Sequence, residues 1–362
     1  GWPEAPVGSM RAWDAGVTWK EIELAPGDYT WDRLDAIVDA AEQNDSDVLL
    51  VLGQTPAFHA VDPESESFYG PGASSPPKIQ AWKAYVRAVA ERYAGRPVVL
   101  QVWNEANVVG FWSGSQQEMA DLTKAAYDVV ADVSPRPTLV SPALVTRLSG
   151  QRAWIDKFYG TSVGGKPVAD YVDAVSLQLY PDAEGTPESS MELLDAMKAT
   201  LQKHGVDKPI WNTEINYGLT GGQVEPAPED VQVMNVVATY LLNAANGVER
   251  VYWYGWDQQG NVDTLMVEPD GVTVTPAGKA FRTVHDWLDG GTVGSCDSDA
   301  EGTWTCQVDH PDGARTVVWN AETTVSVPVP EGATSAEEVG GKASDVEAGS
   351  TVEVGTVPVS FS

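Results

Sequence analysis

Two glutamates that end apolar runs are the residues best suited to chemistry in this sequence. Glu105 stands directly after Asn104 at the end of the run 98–103, and Glu214 ends the run 209–213. Polar side chains that terminate a buried strand lie at the rim of a sheet, where the active sites of parallel α/β proteins are found. We therefore predict that the two carboxyl groups face each other across one pocket.

A pair of carboxyl groups at one rim can divide the work of breaking a glycosidic bond. One is protonated and gives its proton to the leaving oxygen, while the other is ionised and attacks the anomeric carbon or activates water. Different surroundings can separate the two pKa values enough for both tasks at neutral pH. The chain has 52 acidic residues, so many pairs of carboxyl groups could be chosen. This pair is singled out because each glutamate stands at the end of a predicted strand.

Side-chain alternation along a strand predicts where the neighbouring amides point. Asn212 and Glu214 are two residues apart and should point to the same side of the sheet. Asn104 and Glu105 should point to opposite sides unless the strand ends there. Asn104 is then well placed to bind a sugar hydroxyl near the reacting carbon.

Apolar runs of strand length alternate with helical segments from residue 7 to residue 288. This alternation indicates a parallel sheet covered by helices, and polar strand ends favour a closed (β/α)8 TIM barrel. The predicted strands are 7–13, 48–53, 98–105, 138–144, 174–180, 209–215 and 250–256, and the predicted helices are 31–44, 79–94, 116–133, 153–159, 190–204, 228–246 and 276–288.

The strand count is one short of a barrel, because seven strands are found and eight are needed. The simplest interpretation places the first strand and its helix upstream of Gly1, since the chain begins with Gly and not Met. The alternatives are an overlooked strand, or a substitute supplied by the tail after residue 290.

The character of the sequence changes after Gly290-Gly291. Helical periodicity gives way to short Val- and Thr-rich runs between Gly, Pro and Asp turns, which predicts a small C-terminal antiparallel β-sandwich packed on the barrel. We divide the chain into a catalytic barrel at 1–289 and a β domain at 290–362. The predicted strands of the second domain are 303–308, 316–320, 325–329, 351–354 and 357–361.

Composition bears on the compartment and on the partners. Cys296 and Cys306 flank a predicted hairpin, and a disulfide between them would indicate an oxidising compartment; two reduced thiols are the alternative. The formal net charge of −30 disfavours binding to nucleic acids and anionic membranes. No run of eighteen apolar residues exists, so membrane insertion is not expected. We expect a secreted or otherwise extracytoplasmic protein.

The segment Trp103-Asn104-Glu105 and Glu214 three strands later resemble clan A of the glycoside hydrolases. In that clan the acid/base glutamate follows an Asn at the end of strand four, and the nucleophile ends strand seven. Glu105 and Glu214 end the third and sixth visible strands, which fits if one strand lies upstream. The resemblance implies that Glu105 is the acid/base and Glu214 the nucleophile of a retaining double displacement without a metal or organic cofactor.

The resemblance also implies roles for other strand-end residues. Arg11 resembles the arginine near the nucleophile, Tyr180 the tyrosine that hydrogen-bonds it, and Trp256 the tryptophan at the floor of the sugar site. Gln178 stands where the clan has a histidine before the tyrosine. The contacts that Gln178 makes with the substrate are therefore expected to differ from those of the clan.

Two further residues are candidates for contact with substrate. Trp112 could stack on a sugar, because aromatic rings offer apolar area with fixed geometry. Asp257, at a strand end, could either hydrogen-bond in the pocket or serve as a structural carboxylate.

Within the clan, Arg-Ala-Trp-Asp at 11–14, Gly-Asp-Tyr-Thr-Trp-Asp at 27–32 and Leu-Gly-Gln-Thr-Pro at 52–56 resemble family 39 and related family 5 enzymes. The implied partner is a carbohydrate. Candidate substrates are furanosides of galactofuranose or arabinofuranose, xylosides and glucans. The alternatives to hydrolysis are a non-catalytic carbohydrate-binding barrel and a transglycosylase that uses the same two glutamates.

Overall fold

The structure is a computed structural model that describes residues 2–3, 5–256 and 260–362. Asp257 lies outside the described residues. The helices are α1 (Trp19–Ile22), α2 (Asp32–Glu42), α3 (Ile79–Arg92), α4 (Gln116–Ala131), α5 (Ser149–Tyr159), α6 (Pro187–Lys203), α7 (Glu229–Ala245) and α8 (Pro276–Leu288), with a 3-10 helix at Val168–Tyr171.

The strands up to residue 253 form the barrel wall and two small hairpins. They are β1 (Ser9–Ala12), β2 (Glu23–Ala25), β3 (Asp28–Tyr29), β4 (Asp47–Val51), β5 (Val98–Gln101), β6 (Leu139–Val140), β7 (Ser162–Val163), β8 (Lys166–Pro167), β9 (Val175–Gln178), β10 (Ile210–Ile215) and β11 (Val248–Trp253).

The barrel wall is a curved parallel arrangement in the order β1-β4-β5-β6-β9-β10-β11. β1, β4, β5 and β6 form one sheet, and β9, β10 and β11 form a second one. The parallel bridges Val140–Ala174 and Val145–Gln178 join the two sheets. The predicted alternation of parallel strands and covering helices is confirmed. β6 is shorter than predicted because Pro142 has no N–H to give to the ladder.

β1 and β11 are the two edges of this wall. Within the ranges that the structure describes, no further strand pairs with either edge. Side chains bridge the opening instead: Ser9 Oγ donates to Tyr252 Oη at 2.9 Å, and Arg250 pairs with Asp47 at 2.6 Å. The described C-terminal strands pair only with one another, so the idea that the tail supplies the missing strand is wrong. A strand upstream of Gly1 stays a prediction.

The helices pack apolar faces on the strands. α6 begins at Pro187, three residues before the predicted start, because Thr186 caps it and Pro is favourable in the first turn. Inside the barrel a separate small core lies below the strand ends and supports them. It consists of Leu49, Val140, Ala174, Trp211 and Tyr252.

The C-terminal part is the predicted antiparallel β domain. A six-stranded sheet in the order β12-β13-β14-β19-β16-β17 faces the two-stranded sheet β15-β18. These strands are β12 (Thr292–Ser298), β13 (Thr303–Asp309), β14 (Arg315–Asn320), β15 (Val325–Pro328), β16 (Ser335–Glu338), β17 (Ser344–Asp345), β18 (Thr351–Val354) and β19 (Val359–Phe361).

The predicted disulfide is confirmed, because Cys296 and Cys306 are bonded directly across β12 and β13. The β domain packs on the barrel through Trp319, whose buried indole N–H reaches Glu188 of α6 at 3.4 Å. α8 ends at Leu288 and β12 begins at Thr292, so we keep the division after residue 289 as a proposal. None of the described helices is long and apolar enough to cross a membrane.

Candidate active site

Three residues just beyond the ends of barrel strands have left-handed backbone conformations. Asp14 follows β1 with φ +40°, Gln54 follows β4 with φ +64°, and Glu105 follows β5 with φ +43°. Such conformations cost on the order of 1–3 kcal/mol for residues other than glycine, and they cluster at functional sites where the surroundings enforce them. The rim formed by these three strand ends is therefore the candidate location of a functional site.

The orientation of Glu105 follows from the early end of β5. The strand ends at Gln101, four residues before the glutamate, so simple alternation does not extend to Asn104 and Glu105. The left-handed turn at Glu105 redirects its side chain. Asn104 and Glu105 therefore need not point to opposite sides, as the sequence predicted for a strand that ends before them.

The expectation that Asn212 and Glu214 point to the same side is wrong. The pairing of β10 with β9 shifts register between these two residues, and its pairing with β11 shifts between Asn212 and Ile215, which indicates a bulge. Asn212 turns outward and donates to Asn243 on α7 at 3.4 Å. The bulge sends Glu214 inward, where it meets Arg11.

Three side chains donate hydrogen bonds to the Glu214 carboxylate. Arg11 Nη1 donates to Oε2 at 2.5 Å, and Gln178 Nε2 donates to the same oxygen at 2.9 Å. Tyr180 Oη donates to Oε1 at 2.8 Å. The glutamate is itself 7% exposed, so these bonds form out of bulk water. The donors hold the carboxylate in one orientation and stabilise its charge.

Arg11 links the two strand ends. Its Nη2 donates to Asn104 Oδ1 at 2.6 Å while Nη1 holds Glu214, and its Nε donates to Gln101 Oε1 at 2.9 Å. Gln101 in turn donates to the Ser141 carbonyl at 3.3 Å, which fixes the orientation of its amide. We had not singled out Gln101 from the sequence, although a polar residue inside an apolar run was a usable signal.

Asn104 is buried, with its oxygen already used. Oδ1 accepts from Arg11 and from Gln178, the latter at 3.4 Å. Within the described part of the chain no acceptor is found for its Nδ2. This N–H group is therefore available to a ligand.

Glu105 has surroundings of a different kind. Among the described residues none donates a hydrogen bond to its carboxyl group. Burial of the carboxyl, followed by the charge of Glu214, raises the pKa of Glu105 from the ordinary value of 4.5 to about 8, although the charges of Arg11 and Arg147 oppose the rise. Partial exposure at the rim still lets a ligand reach the carboxyl group.

Burial also raises the pKa of Glu214, while the charge of Arg11 and the hydrogen bond from Tyr180 oppose the rise. Interacting carboxyl groups lose their protons as a pair, and the first charge settles where it is better stabilised. Glu214 has a guanidinium and two neutral donors, whereas Glu105 has no donor in the described part of the chain. The singly ionised pair therefore carries its charge on Glu214 and its proton on Glu105.

A cavity of about 760 Å³ opens beside Glu214 between β1 and β11. Arg11, Asp14 and Trp256 line it at the rim, and it continues along the opening between the two edge strands. Glu105 does not line this cavity. The opening in the wall thus contributes much of the volume, and the part at the rim is the part relevant to chemistry.

The remaining predicted site residues fall into two groups. Trp256 lines the cavity and packs edge-on against Phe281, with 5.2 Å between ring centroids. Trp112 is only 2% exposed, stands edge-on to Trp103 and donates its indole N–H to the Ser115 carbonyl. Its ring has no free face for a sugar, so we remove it from the proposed site.

Gln178 and Tyr180 are buried and reach Glu214 instead of open space. The bond from Tyr180 to Glu214 is the contact that the resemblance implies for this tyrosine, whereas Gln178 was expected to contact the substrate. Their hydrogen bonds indicate that they act on the substrate through the carboxylate that they hold.

Comparison with known proteins shows the family and the fold of this chain. The family model "Glycosyl hydrolases family 39" matches residues 16–255. A β-xylosidase from Geobacillus stearothermophilus is 28% identical over 172 residues, which cover 44% of this chain and 33% of that protein. The chain therefore matches only about a third of the length of this relative.

Solved structures show the same fold. A family 39 β-xylosidase from Caulobacter crescentus is 14% identical with a TM-score of 0.63, covering 98% of this chain and 88% of that one. A family 39 enzyme from Xanthomonas axonopodis pv. citri is 16% identical with a TM-score of 0.62, covering 98% and 87%. A family 30 endoxylanase from Clostridium papyrosolvens is 14% identical with a TM-score of 0.62, covering 98% and 88%.

These matches confirm the predicted α/β barrel fold with its C-terminal β domain, and the predicted resemblance to clan A. The family model spans more than half of the chain and includes both strand ends that carry the glutamates. This chain therefore belongs to family 39 of the glycosyl hydrolases.

Proposed function

We propose that this chain is a retaining glycoside hydrolase in which Glu214 is the nucleophile and Glu105 the acid/base. The observation that carries the proposal is that the neighbouring side chains stabilise a negative charge on Glu214 but not on Glu105. Arg11 and Tyr180 stabilise a charge on Glu214. Burial and the charge of Glu214 raise the pKa of Glu105 to about 8, so Glu105 stays protonated at neutral pH. A retaining hydrolase needs this division of charge and proton.

In the first step a Glu214 oxygen attacks the anomeric carbon as the glycosidic C–O bond breaks. Oε2 already accepts from Arg11 and Gln178, while Tyr180 is the one described residue that donates to Oε1. Oε1 therefore keeps a lone pair free and is the attacking atom. Glu105 transfers its proton to the leaving oxygen, so the leaving group departs neutral and Glu105 becomes ionised.

In the second step Glu105 takes a proton from water, whose oxygen attacks the same carbon. The ester bond to Glu214 breaks, and its electron pair returns to the carboxylate held by Arg11. Two displacements at one carbon retain its configuration. During both steps Asn104 donates its Nδ2, which has no acceptor among the described residues, to a sugar hydroxyl beside the reacting carbon.

Xylosides lead the candidate substrates, because the curated relative is a β-xylosidase. Galactofuranosides and arabinofuranosides are the next candidates. The disulfide between Cys296 and Cys306 supports the further proposal that the protein works outside the cytoplasm, where such bonds persist.

A panel of aryl glycosides tests the activity and its stereochemistry together. The wild-type protein and Glu214→Gln are assayed on p-nitrophenyl β-xyloside, β-galactofuranoside, α-arabinofuranoside and β-glucoside, and proton NMR identifies the first anomer released. We expect hydrolysis of at least one substrate with retained configuration, and none by the variant. An inverted first product would overturn the double displacement, and inactivity on the whole panel would favour a carbohydrate-binding barrel.

A further inference from the structure

Four aromatic side chains form a continuous row from the rim of the barrel to the solvent. We call Trp13, Tyr69, Phe111 and Phe68 the aromatic strip. Ring centroids are 5.6 Å apart from Trp13 to Tyr69, 5.7 Å from Tyr69 to Phe111 and 5.1 Å from Phe111 to Phe68. The last ring, Phe68, is 69% exposed. Because it packs edge to face against a neighbour, its open face has a fixed direction.

The two loops that carry the outer end of the strip are bonded to each other. Phe68 N–H donates to the Gly110 carbonyl at 3.2 Å, and Ser67 Oγ donates to the same oxygen at 3.0 Å. A Cβ atom at position 110 would lie 2.2 Å from the Phe68 ring, so only glycine lets this ring lie against the loop. The strip is therefore formed before any ligand arrives.

The inner end of the strip meets the acid/base side of the site. Trp13 Nε1 donates to Tyr69 Oη at 3.1 Å, and Tyr69 Oη donates to Asp14 Oδ1 at 2.7 Å. Burial, and then Asp14, raise the pKa of Tyr69, and the charge of Glu105 adds to this rise. The loop that carries Phe111 also begins directly after Glu105. The strip thus leads away from the group that protonates the leaving oxygen.

We propose that the aromatic strip binds the leaving group of the substrate, and that this leaving group is a sugar. Its C–H face stacks on Phe68 and Phe111, and a hydroxyl at its edge donates to the exposed carboxylate of Asp14. The inference rests on the proposed function, because the leaving group departs on the side of the acid/base Glu105.

A sugar fits this surface better than a purely apolar group. A pyranose ring has an apolar face of C–H groups and an edge of hydroxyl groups. The strip offers the exposed phenyl ring of Phe68 beside the half-buried ring of Phe111, with the exposed carboxylate of Asp14 at the end nearer the catalytic pair. An apolar leaving group would use the rings but would cover the Asp14 carboxylate without adding a donor to the one that Tyr69 supplies, which is unfavourable.

Substrates with and without a leaving-group sugar test this site. Phe68→Ala and Phe68→Trp are compared with the wild type on the glycosyl fluoride, the p-nitrophenyl glycoside and the β-linked disaccharide of the sugar selected by the aryl-glycoside panel. Phe58→Ala is the control, because Phe58 is a 37% exposed ring that contacts His59 and no member of the strip. Melting temperatures verify that all variants are folded.

For Phe68→Ala we expect kcat/KM on the disaccharide to fall about tenfold, because the leaving-group sugar loses the phenyl ring on which it stacks. The glycosyl fluoride, which places nothing on the strip, should be unaffected. Phe68→Trp should keep most of the disaccharide activity, and Phe58→Ala all of it.

Equal losses on disaccharide and fluoride, or no loss on either, would overturn the binding role. A loss confined to the p-nitrophenyl glycoside would overturn the assignment of a sugar. A wild-type protein that cleaves none of the three substrates contradicts the proposed function itself, which separates that failure from a failure of the strip.

Discussion

The ends of β5 and β10 carry the same side chain in opposite electrostatic settings. Glu214 accepts hydrogen bonds from a guanidinium, an amide and a phenol, whereas no described residue donates to Glu105. Both carboxyl groups are removed from bulk water, so neighbours and not burial alone distinguish them. The role of each glutamate therefore depends on its neighbouring side chains. Glu214, beside the guanidinium of Arg11, keeps the charge, and Glu105 keeps the proton.

Removing the charged member should have the largest effect. Glu214→Gln leaves the site without a nucleophile, so we expect kcat to fall by about 10⁴-fold or more, as for loss of a catalytic nucleophile in other enzymes. Initial rates on the best aryl glycoside measure the loss. Glu322→Gln, an exposed glutamate of the β domain, is the matched control. Near-normal turnover by Glu214→Gln would remove the basis of the comparison.

Removing the proton donor should have an effect that depends on the leaving group. Glu105→Gln should lower the rate by about 10² to 10⁴ on a disaccharide, because the leaving alkoxide then departs without a proton. Formation of the glycosyl-enzyme from a glycosyl fluoride should change little, since fluoride needs less protonation. Pre-steady-state rates on both substrates measure the contrast. Equal losses would assign Glu105 a role other than proton donation.

Removing the cation should make the two carboxyl groups more alike. Arg11 lowers the pKa of Glu214, so Arg11→Met should move the acidic limb of the kcat/KM profile to higher pH. We also expect activity to fall by about 10²-fold, because the carboxylate loses a preorganised donor. Arg92→Met, which removes the exposed pair with Asp35, is the control. An unmoved acidic limb would contradict the stabilising role of Arg11.

The smallest expected effect is on stability. The folded-state pKa of Glu105, about 8, lies above its ordinary value of 4.5, so its contribution is fully present below pH 4.5 and is lost as pH rises towards 8. Glu105→Gln stays neutral throughout. Urea unfolding from pH 4 to 9 should therefore show the variant gaining free energy of unfolding relative to wild type across this window. A constant difference would mean that Glu105 titrates normally.

The sequence predicted the parts of the site that depend on period and position. Apolar runs located the strands, and their polar ends located Glu105, Glu214 and Arg11. The sequence did not predict the direction of the Asn212 side chain. A bulge in β10 turns this side chain outward, and the local residue pattern does not reveal a bulge. Whether the ring of Trp112 is buried or open depends on packing by distant elements, which a single sequence does not show.

Long-range contacts were also beyond the sequence. Gln101 meets Arg11 although 90 positions separate them, and Phe68 meets Phe111 only because two long loops are bonded together. The polar character of Gln101 inside an apolar strand was visible, but its partner was not. Residue type thus indicated that chemistry was present, and the fold was needed to show which groups act on each other.

Trapping the covalent intermediate tests the assignment of roles most directly. The protein is incubated with 2-deoxy-2-fluoro-β-xylosyl fluoride, or its analogue for the sugar selected by the panel, and the labelled peptide is identified by mass spectrometry. We predict one sugar per chain, bound as an ester to Glu214, with Glu105 unmodified. A label on Glu105, or full activity after exposure with no adduct, would contradict the division of charge and proton between the two glutamates.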